Sequence, residues 1–369
     1  MQPANQKAFH GGASFDAIGS DFADLSRRHG IVDADVLDAW YEPAPAVLAT
    51  LREHLPWLVK TSPPTHGDGL RAAIAQRHGL SPQHVLIGGG TSALMFLAFP
   101  RLVARGDRVA ILDPMYGEYR HIFANVIGAD VVACELDEAR GFRPDPAAIA
   151  AQVEAMGARL LVMVNPNSPT GVGRDAEGLR RLLALLPADV RVWIDETYID
   201  FVPDVPTAEA LVGTDRRLVV AKSMSKFFAL SGLRVGYLCA DPALLADLET
   251  FNPPWSAGLL AQCAAVLALR EYPWYRERAA ETHHLRDHLA AAIDTIPGLR
   301  TFPSTTNFLL FATDRLPAAE LVARCRNHGV YLRDCASLSP RFGTRFVRTA
   351  VKDPSANAHI LAALQASTP

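Results

Sequence analysis

Short apolar runs of about five residues, the usual strand length, recur along the middle of the chain. Each is closed by polar or glycine residues. Val85-Leu86-Ile87 runs into Gly88-Gly89-Gly90, residues 108–112 end at Asp113-Pro114, and residues 159–164 lead to Asn165-Pro166. Residues 190–194 end at Asp195-Glu196, residues 217–221 reach Lys222-Ser223, and residues 130–136 and 235–240 complete the set. Unbroken β-branched runs separated by amphipathic helical stretches predict a mostly parallel sheet buried between helices. The expected fold class is α/β. Ligands in open α/β sheets bind outside the carboxyl ends of the strands. The polar clusters at 88–92, 113–119, 165–171, 195–198 and 223–226 are therefore expected to meet at one site.

The pattern changes near residue 250. Phe251-Asn252-Pro253-Pro254 breaks the alternation, and a long helical stretch follows, interrupted once at Pro273. Residues 307–311, 330–333 and 345–350 then read as strands, with helices at 318–328 and from about 355, which together make a small α+β lobe. The first 60 residues, with Pro43, Pro45 and Pro56, do not fit the central sheet and are expected to join that lobe. The division is thus 1–60 with the small lobe, 61–250 as the large domain and 251–369 as the small C-terminal domain.

Composition narrows the class. The chain has 369 residues, about half apolar and a fifth charged, with a net charge of -3. That balance offers no broad basic surface for nucleic acid or anionic membrane. Five cysteines, an odd number with no CxxC pair, argue against a disulfide framework or structural zinc and fit a cytoplasmic enzyme. Residues 1–10 lack the apolar core of a signal peptide, and no apolar run approaches the roughly 18 residues of a membrane span.

The densest chemistry lies in Ser223-Met224-Ser225-Lys226, followed by Ser231-Gly232-Leu233-Arg234. A lysine just past an apolar strand can form a Schiff base with a carbonyl cofactor. The hydroxyls of Ser223 and Ser225 and the Arg234 guanidinium can hold a phosphate beside it. Gly90, Thr91 and Ser92 open a helix after a strand, where free backbone N–H groups also bind phosphate. This combination points to pyridoxal 5'-phosphate. Taken alone, Gly88 to Ala93 also fits the G-x-G-x-x-A of a dinucleotide site, so an NAD-dependent oxidoreductase is the reading from another class. Ser223-Met224-Ser225-Lys226 matches the S-x-x-K of serine acyltransferases too, but their partner motifs are missing. Asp195 at a strand end can pair with a pyridinium nitrogen, Tyr198 can reach a ring hydroxyl, and Tyr116 can stack on a ring. Arg348 in Phe346-Val347-Arg348-Thr349-Ala350 can grip a substrate carboxylate, and Arg333 offers a second anion site.

In this order the motifs resemble those of the fold-type I pyridoxal-phosphate enzymes, the aspartate-aminotransferase superfamily, over essentially the whole chain. They are Asp113-Pro114-Met115-Tyr116, Asn165-Pro166-Asn167-Ser168-Pro169-Thr170-Gly171, Asp195 with Tyr198, the Ser223–Arg234 group and Arg348. The branch holding histidinol-phosphate aminotransferase and threonine-phosphate decarboxylase is the most similar, on Lys226-Phe227-Phe228-Ala229, His10-Gly11-Gly12 and Leu332-Arg333-Asp334-Cys335. The resemblance implies a seven-stranded, mostly parallel sheet, a homodimer, and an α-amino acid substrate with a keto acid as acceptor. Decarboxylation and side-chain elimination or cyclisation are the other outcomes on this scaffold. It also implies that the arginine at Arg333 holds the substrate's distal anion.

Two features depart from the family's pattern. Ser168, preceded by Asn167, stands where relatives carry the asparagine that bonds the ring hydroxyl, so either residue is a candidate. Thr61-Ser62-Pro63-Pro64-Thr65-His66 replaces a Tyr-Pro segment, and no Asn-x-Asn-Pro signature occurs near Trp40-Tyr41-Glu42-Pro43. The substrate side is therefore expected to differ from the relatives more than the cofactor side.

Overall fold

A computed structural model describes residues 10–369, so the signal-peptide expectation for the first residues falls outside the described residues. A short strand, β1 (Val32–Asp33), precedes the large sheet. That sheet holds β2 (Val85–Gly88), β3 (Arg108–Asp113), β4 (Asp130–Glu135), β5 (Leu160–Val164), β6 (Arg191–Asp195), β7 (Leu218–Ser223) and β8 (Gly236–Cys239), in the spatial order β2-β8-β7-β6-β5-β3-β4. The five strands from β3 to β7 are mutually parallel. The fold is the α/β, mostly parallel seven-stranded sheet that the periodicity predicts.

One strand departs from the parallel pattern. β8 runs antiparallel to both β2 and β7. Its connection from β7 contains only a short 3-10 turn at Ser231–Leu233. A parallel return is usually made through a crossover helix; this link holds no α-helix, and the chain reverses. Lys226 lies on that link.

Helices cover the sheet because the chain supplies both stripe and caps. Helix Pro146–Met156 starts where Asp145 accepts from Ala147 N and Ala148 N, and it stops at Gly157 in the left-handed conformation. Between helix Thr91–Leu102 and the sheet, Phe99 packs at 4.5 Å between ring centroids on both Phe123 and Trp193. These rings are fully buried and form the centre of the large core.

After helices Leu259–Arg270 and Tyr272–Ile293 the chain forms β9 (Leu299–Thr301), β10 (Phe308–Thr313), β11 (Val330–Tyr331), β12 (Arg333–Asp334) and β13 (Phe346–Ala350). Pro273 sits in the first turn of the second helix, where its missing N–H costs nothing. The second sheet has the order β12-β13-β10-β9 and is antiparallel. The expected strand at 330–333 is divided: β11 pairs parallel with β1, and β12 pairs with β13. Residues 34–37 continue β1 across this sheet, with Ala350 N donating to Ala34 O and Asn307 Nδ2 donating to Leu37 O.

Candidate active site

The carboxyl ends of the large sheet and the face of the small sheet enclose a cavity of about 450 Å³. Its walls include Thr91, Ser92, Tyr116, Ser168, Asp195, Tyr198, Ser223, Ser225, Lys226, Arg234, Arg333 and Arg348. Twelve of the residues singled out by sequence therefore meet at one place. Gly90 and Asn167 do not line it.

Gly90 acts through its backbone. It has φ +88°, and a Cβ there would meet Arg234 Nη2 at 2.8 Å. The bare glycine lets the guanidinium approach the helix start at Thr91. Arg234 is itself left-handed, with φ 52°, and donates from Nη1 to Ser225 Oγ at 3.3 Å and to Ser231 O at 3.2 Å. Asn167 turns into its own loop instead, donating to Pro114 O at 2.9 Å and to Thr170 Oγ1 at 3.1 Å. Of the two neighbours considered for the missing asparagine, Ser168 faces the cavity, and its hydroxyl accepts from Arg348 Nη1 at 3.0 Å.

Asp195 is 5% exposed at the end of β6. Its carboxylate accepts from Thr197 N at 2.9 Å, Thr197 Oγ1 at 2.6 Å and Tyr119 Oη at 2.7 Å. Burial pushes its pKa above the usual carboxylate range, against the pull of those three donors. Trp193 Nε1 in turn donates to Tyr119 Oη at 3.2 Å. Burial likewise pushes the Tyr116 phenol up to about 12 and raises that of Tyr198 further.

Lys226 Nζ donates to Asp38 Oδ1 at 2.9 Å, and Ser231 Oγ donates to the same oxygen at 2.6 Å. Burial raises the Asp38 carboxyl, but Lys226 beside it and the Ser231 hydroxyl outweigh this and hold it below its ordinary value. Lys222, only four residues earlier, points the other way. It is buried against Asp200 Oδ2 at 2.7 Å and Glu209 Oε2 at 3.7 Å. Lys222 lies within β7, whereas Lys226 lies beyond its end at Ser223, and of the two only Lys226 lines the cavity.

Arg333 and Arg348 are directly paired across β12 and β13. Arg348 Nη2 donates to Asp35 O at 3.0 Å. Tyr119, Thr197, Asp38 and Asp35 were not singled out from the sequence. Tyr119 stands three residues after Tyr116, and Thr197 two after Asp195, which is the signal that could have found them. Asp35 and Asp38 carry none, because their role depends on a segment folding across the distant small sheet.

The sequence matches the family model described as aminotransferase class I and II over residues 35–364. The chain belongs to this family. It is 33% identical over 353 residues to a histidinol-phosphate aminotransferase of Symbiobacterium thermophilum, covering 95% of this chain and 94% of that protein. Among solved structures, the histidinol-phosphate aminotransferase from Sinorhizobium meliloti in complex with pyridoxal-5'-phosphate superposes with a TM-score of 0.81 at 23% identity, covering 93% of each chain. The L-threonine-O-3-phosphate decarboxylase from Porphyromonas gingivalis superposes at 0.80 and 22% identity, covering 91% of this chain and 99% of that one. These two likenesses establish the fold. The family resemblance read from the motifs is correct, and this aminotransferase is a pyridoxal 5'-phosphate enzyme.

The residues present fit that cofactor. Free N–H groups at the start of helix Thr91–Leu102, two serine hydroxyls and Arg234 make a donor set suited to a phosphate dianion. A carboxylate with a raised pKa on the cavity wall suits a protonated ring nitrogen. The dinucleotide reading fails on topology. β2 sits at the sheet edge with an antiparallel neighbour, so Gly88 to Ala93 does not open a parallel βαβ unit.

Proposed function

We propose that this aminotransferase moves the amino group of an α-amino acid to a keto-acid acceptor, in the manner of the histidinol-phosphate aminotransferases it resembles. The observation that carries this reading is the convergence of Lys226, Asp195 and Arg348 on one cavity. Pyridoxal 5'-phosphate supplies a carbonyl that a primary amine can attack and a ring that takes up electrons from a bond breaking at the substrate Cα.

The protein residues do the rest. Lys226 Nζ is the amine that holds the cofactor and, once released, the base that moves the Cα proton. Asp38 and Ser231 fix the position of that amine. Gly90, Thr91, Ser92, Ser223, Ser225 and Arg234 hold the phosphate. Asp195, oriented by Tyr119 and Thr197, keeps the ring nitrogen protonated, while Tyr116 packs on the ring. Ser168 and Tyr198 contact the ring hydroxyl. Arg348 grips the substrate carboxylate, with Arg333 beside it.

The test is product analysis by mass spectrometry across a panel of amino acids, with and without a keto-acid acceptor. Aminotransfer predicts a keto acid that forms catalytically only with the acceptor. Loss of CO2 would establish a decarboxylase, and turnover with neither acceptor nor CO2 loss would establish elimination or cyclisation.

The same proposal includes a homodimer, the division of the chain at about residues 60 and 250, and a cytoplasmic location. Trp57, Val59, Phe251 and Trp255 are exposed apolar side chains that a second copy would cover. The cysteines are all free, four of them buried. No helix among the described residues is long and apolar enough to cross a membrane.

A further inference from the structure

Resting on the aminotransferase reading, we propose that Asp38 is a positioning residue for Lys226, the counter-ion that takes up the positive charge on the lysine nitrogen and holds that nitrogen at the cavity wall. Lys226 lines the cavity and Asp38 does not, so the carboxylate meets the amine from behind. Nζ donates to Asp38 Oδ1 at 2.9 Å.

The fold holds the carboxylate in place. Ser231, on the link that carries Lys226, donates from Oγ to the same oxygen at 2.6 Å. From the small lobe, Asn307 Nδ2 donates to Leu37 O at 3.0 Å and Lys352 Nζ to Asp38 O at 3.4 Å. Three residues on, the buried Tyr41 Oη donates at 2.7 Å to the carbonyl of Phe227, the neighbour of Lys226. Segment 37–41 is thus tied to the small lobe and to the lysine link at once. The pair lies between those ties, unlike an exposed ion pair whose two side chains are free to drift.

The charges around the pair fit the same role. Burial raises the Asp38 carboxyl, but Lys226 and the Ser231 hydroxyl outweigh it, so the group is a carboxylate at neutral pH. The other titratable groups near the pair are Lys352 with Asp33 and Asp353 beside it, and Tyr198 beyond the end of β6. Lys352 bonds the Asp38 carbonyl, which leaves Oδ1 to Lys226 and Ser231. Asp195, the carboxylate on the cavity wall, is engaged by Tyr119 and Thr197. When Lys226 takes the proton from the substrate Cα, the C–H bond breaks, its electron pair is left to the cofactor ring, and a new N–H bond forms on Nζ. The lysine becomes positive in that step, and a carboxylate within hydrogen-bond reach stabilises the charge.

The experiment titrates the near-visible absorption of the holoenzyme against pH, which needs no turnover. That absorption changes as the lysine nitrogen gives up its proton. An opposite charge within about 4–6 Å moves a pKa by about 1–3 units, and Asp38 is half-exposed, so the lower end applies. The isosteric Asp38→Asn is expected to move the midpoint of the change about one unit to lower pH, because the protonated nitrogen loses its counter-ion. Asp38→Glu, which keeps the charge, is expected to restore at least half of that shift. A midpoint unmoved or raised in Asp38→Asn, or displaced as far in Asp38→Glu as in Asp38→Asn, would overturn the assignment. Should Asp38→Asn not fold, Ser231→Ala takes its place by removing the second donor to Oδ1. A shift to lower pH then supports the role, and an unmoved midpoint overturns it. If no amino acid reacted, the aminotransfer reading would fail separately, and the titration would still decide the role of Asp38.

Discussion

The two sides of the cavity are built differently. On the cofactor side the polar groups arrive on the ends of one sheet and are already bonded to each other. Asp195 accepts three hydrogen bonds, and Arg234 donates to Ser225 and to a backbone carbonyl. On the substrate side, residues 10–12, residues 35–38 and the strands β12 and β13 meet from distant parts of the chain. Among the described residues, Asp35 Oδ1 and Arg348 Nε on that side are buried without a hydrogen-bond partner. Satisfied networks hold a permanent tenant in one geometry, whereas open donors and acceptors await a molecule that comes and goes. The difference explains how one cofactor can serve a family whose substrates vary.

The sharpest way to break this comparison is at Lys226. Lys226→Ala is expected to lower turnover by about 10³-fold or more, since it removes the group proposed as both the anchoring amine and the base. It should also abolish the near-visible absorption that borohydride removes from the wild-type holoenzyme. Retention of a borohydride-sensitive band would put the anchoring amine elsewhere, with Lys222 the first alternative to check.

On the substrate side, Arg348→Lys keeps the charge but loses the forked donor set that reaches Ser168 and Asp35 O. We expect kcat/KM to fall about 10²-fold, mostly through KM, while cofactor affinity is unchanged. A loss of cofactor binding of similar size would show that the two sides are not separable.

Tyr119→Phe probes how firmly the cofactor side is held. It removes one of the donors that lower the Asp195 pKa, so that pKa rises further. The acidic limb of the kcat profile should then move to higher pH, with kcat itself down about tenfold. An unshifted limb would mean that Thr197 alone controls Asp195.

The smallest effect concerns the buried cluster behind the sheet, where Glu196 accepts from Ala208 N and lies near Lys222. Burial pushes the Glu196 carboxyl from 4.5 up to about 8. A folded-state pKa above the unfolded one means that the folded protein binds the extra proton. This stabilisation is full below about 4.5, fades as pH rises toward 8 and is then gone. Glu196→Gln cannot titrate. The Tm of the variant minus that of the wild type should therefore increase by a few degrees between pH 5 and pH 8. A difference independent of pH would show that Lys222 keeps Glu196 ionised throughout.

The legibility of the sequence follows the same division. The strand ends, the Ser223–Arg234 group and the Asp195 position could be read because each depends on local periodicity and on one rule about where parallel sheets bind ligands. β8 shows the limit. Its residues read correctly as a strand, but its direction depends on the absence of a crossover helix after β7. Ser168 and Asn167 are adjacent and chemically similar, and only the turn of the loop decided which faces the cavity. The two lysines at 222 and 226 both follow an apolar run, and only the path of the chain after β7 ends at Ser223 sends one amine to Asp200 and the other to the cavity.

By itself the sequence determined the family and the cofactor and singled out the residues proposed to hold it, because those features are short-range patterns of residue type and spacing. Tertiary structure alone decided that Asp38 meets Lys226, that Tyr119 meets Asp195, and that Asp35 stands beside Arg333 and Arg348. Those contacts join residues as much as some 300 positions apart. Each depends on where the small sheet and the segment at 34–38 come to rest against the large one, and no local pattern encodes that placement.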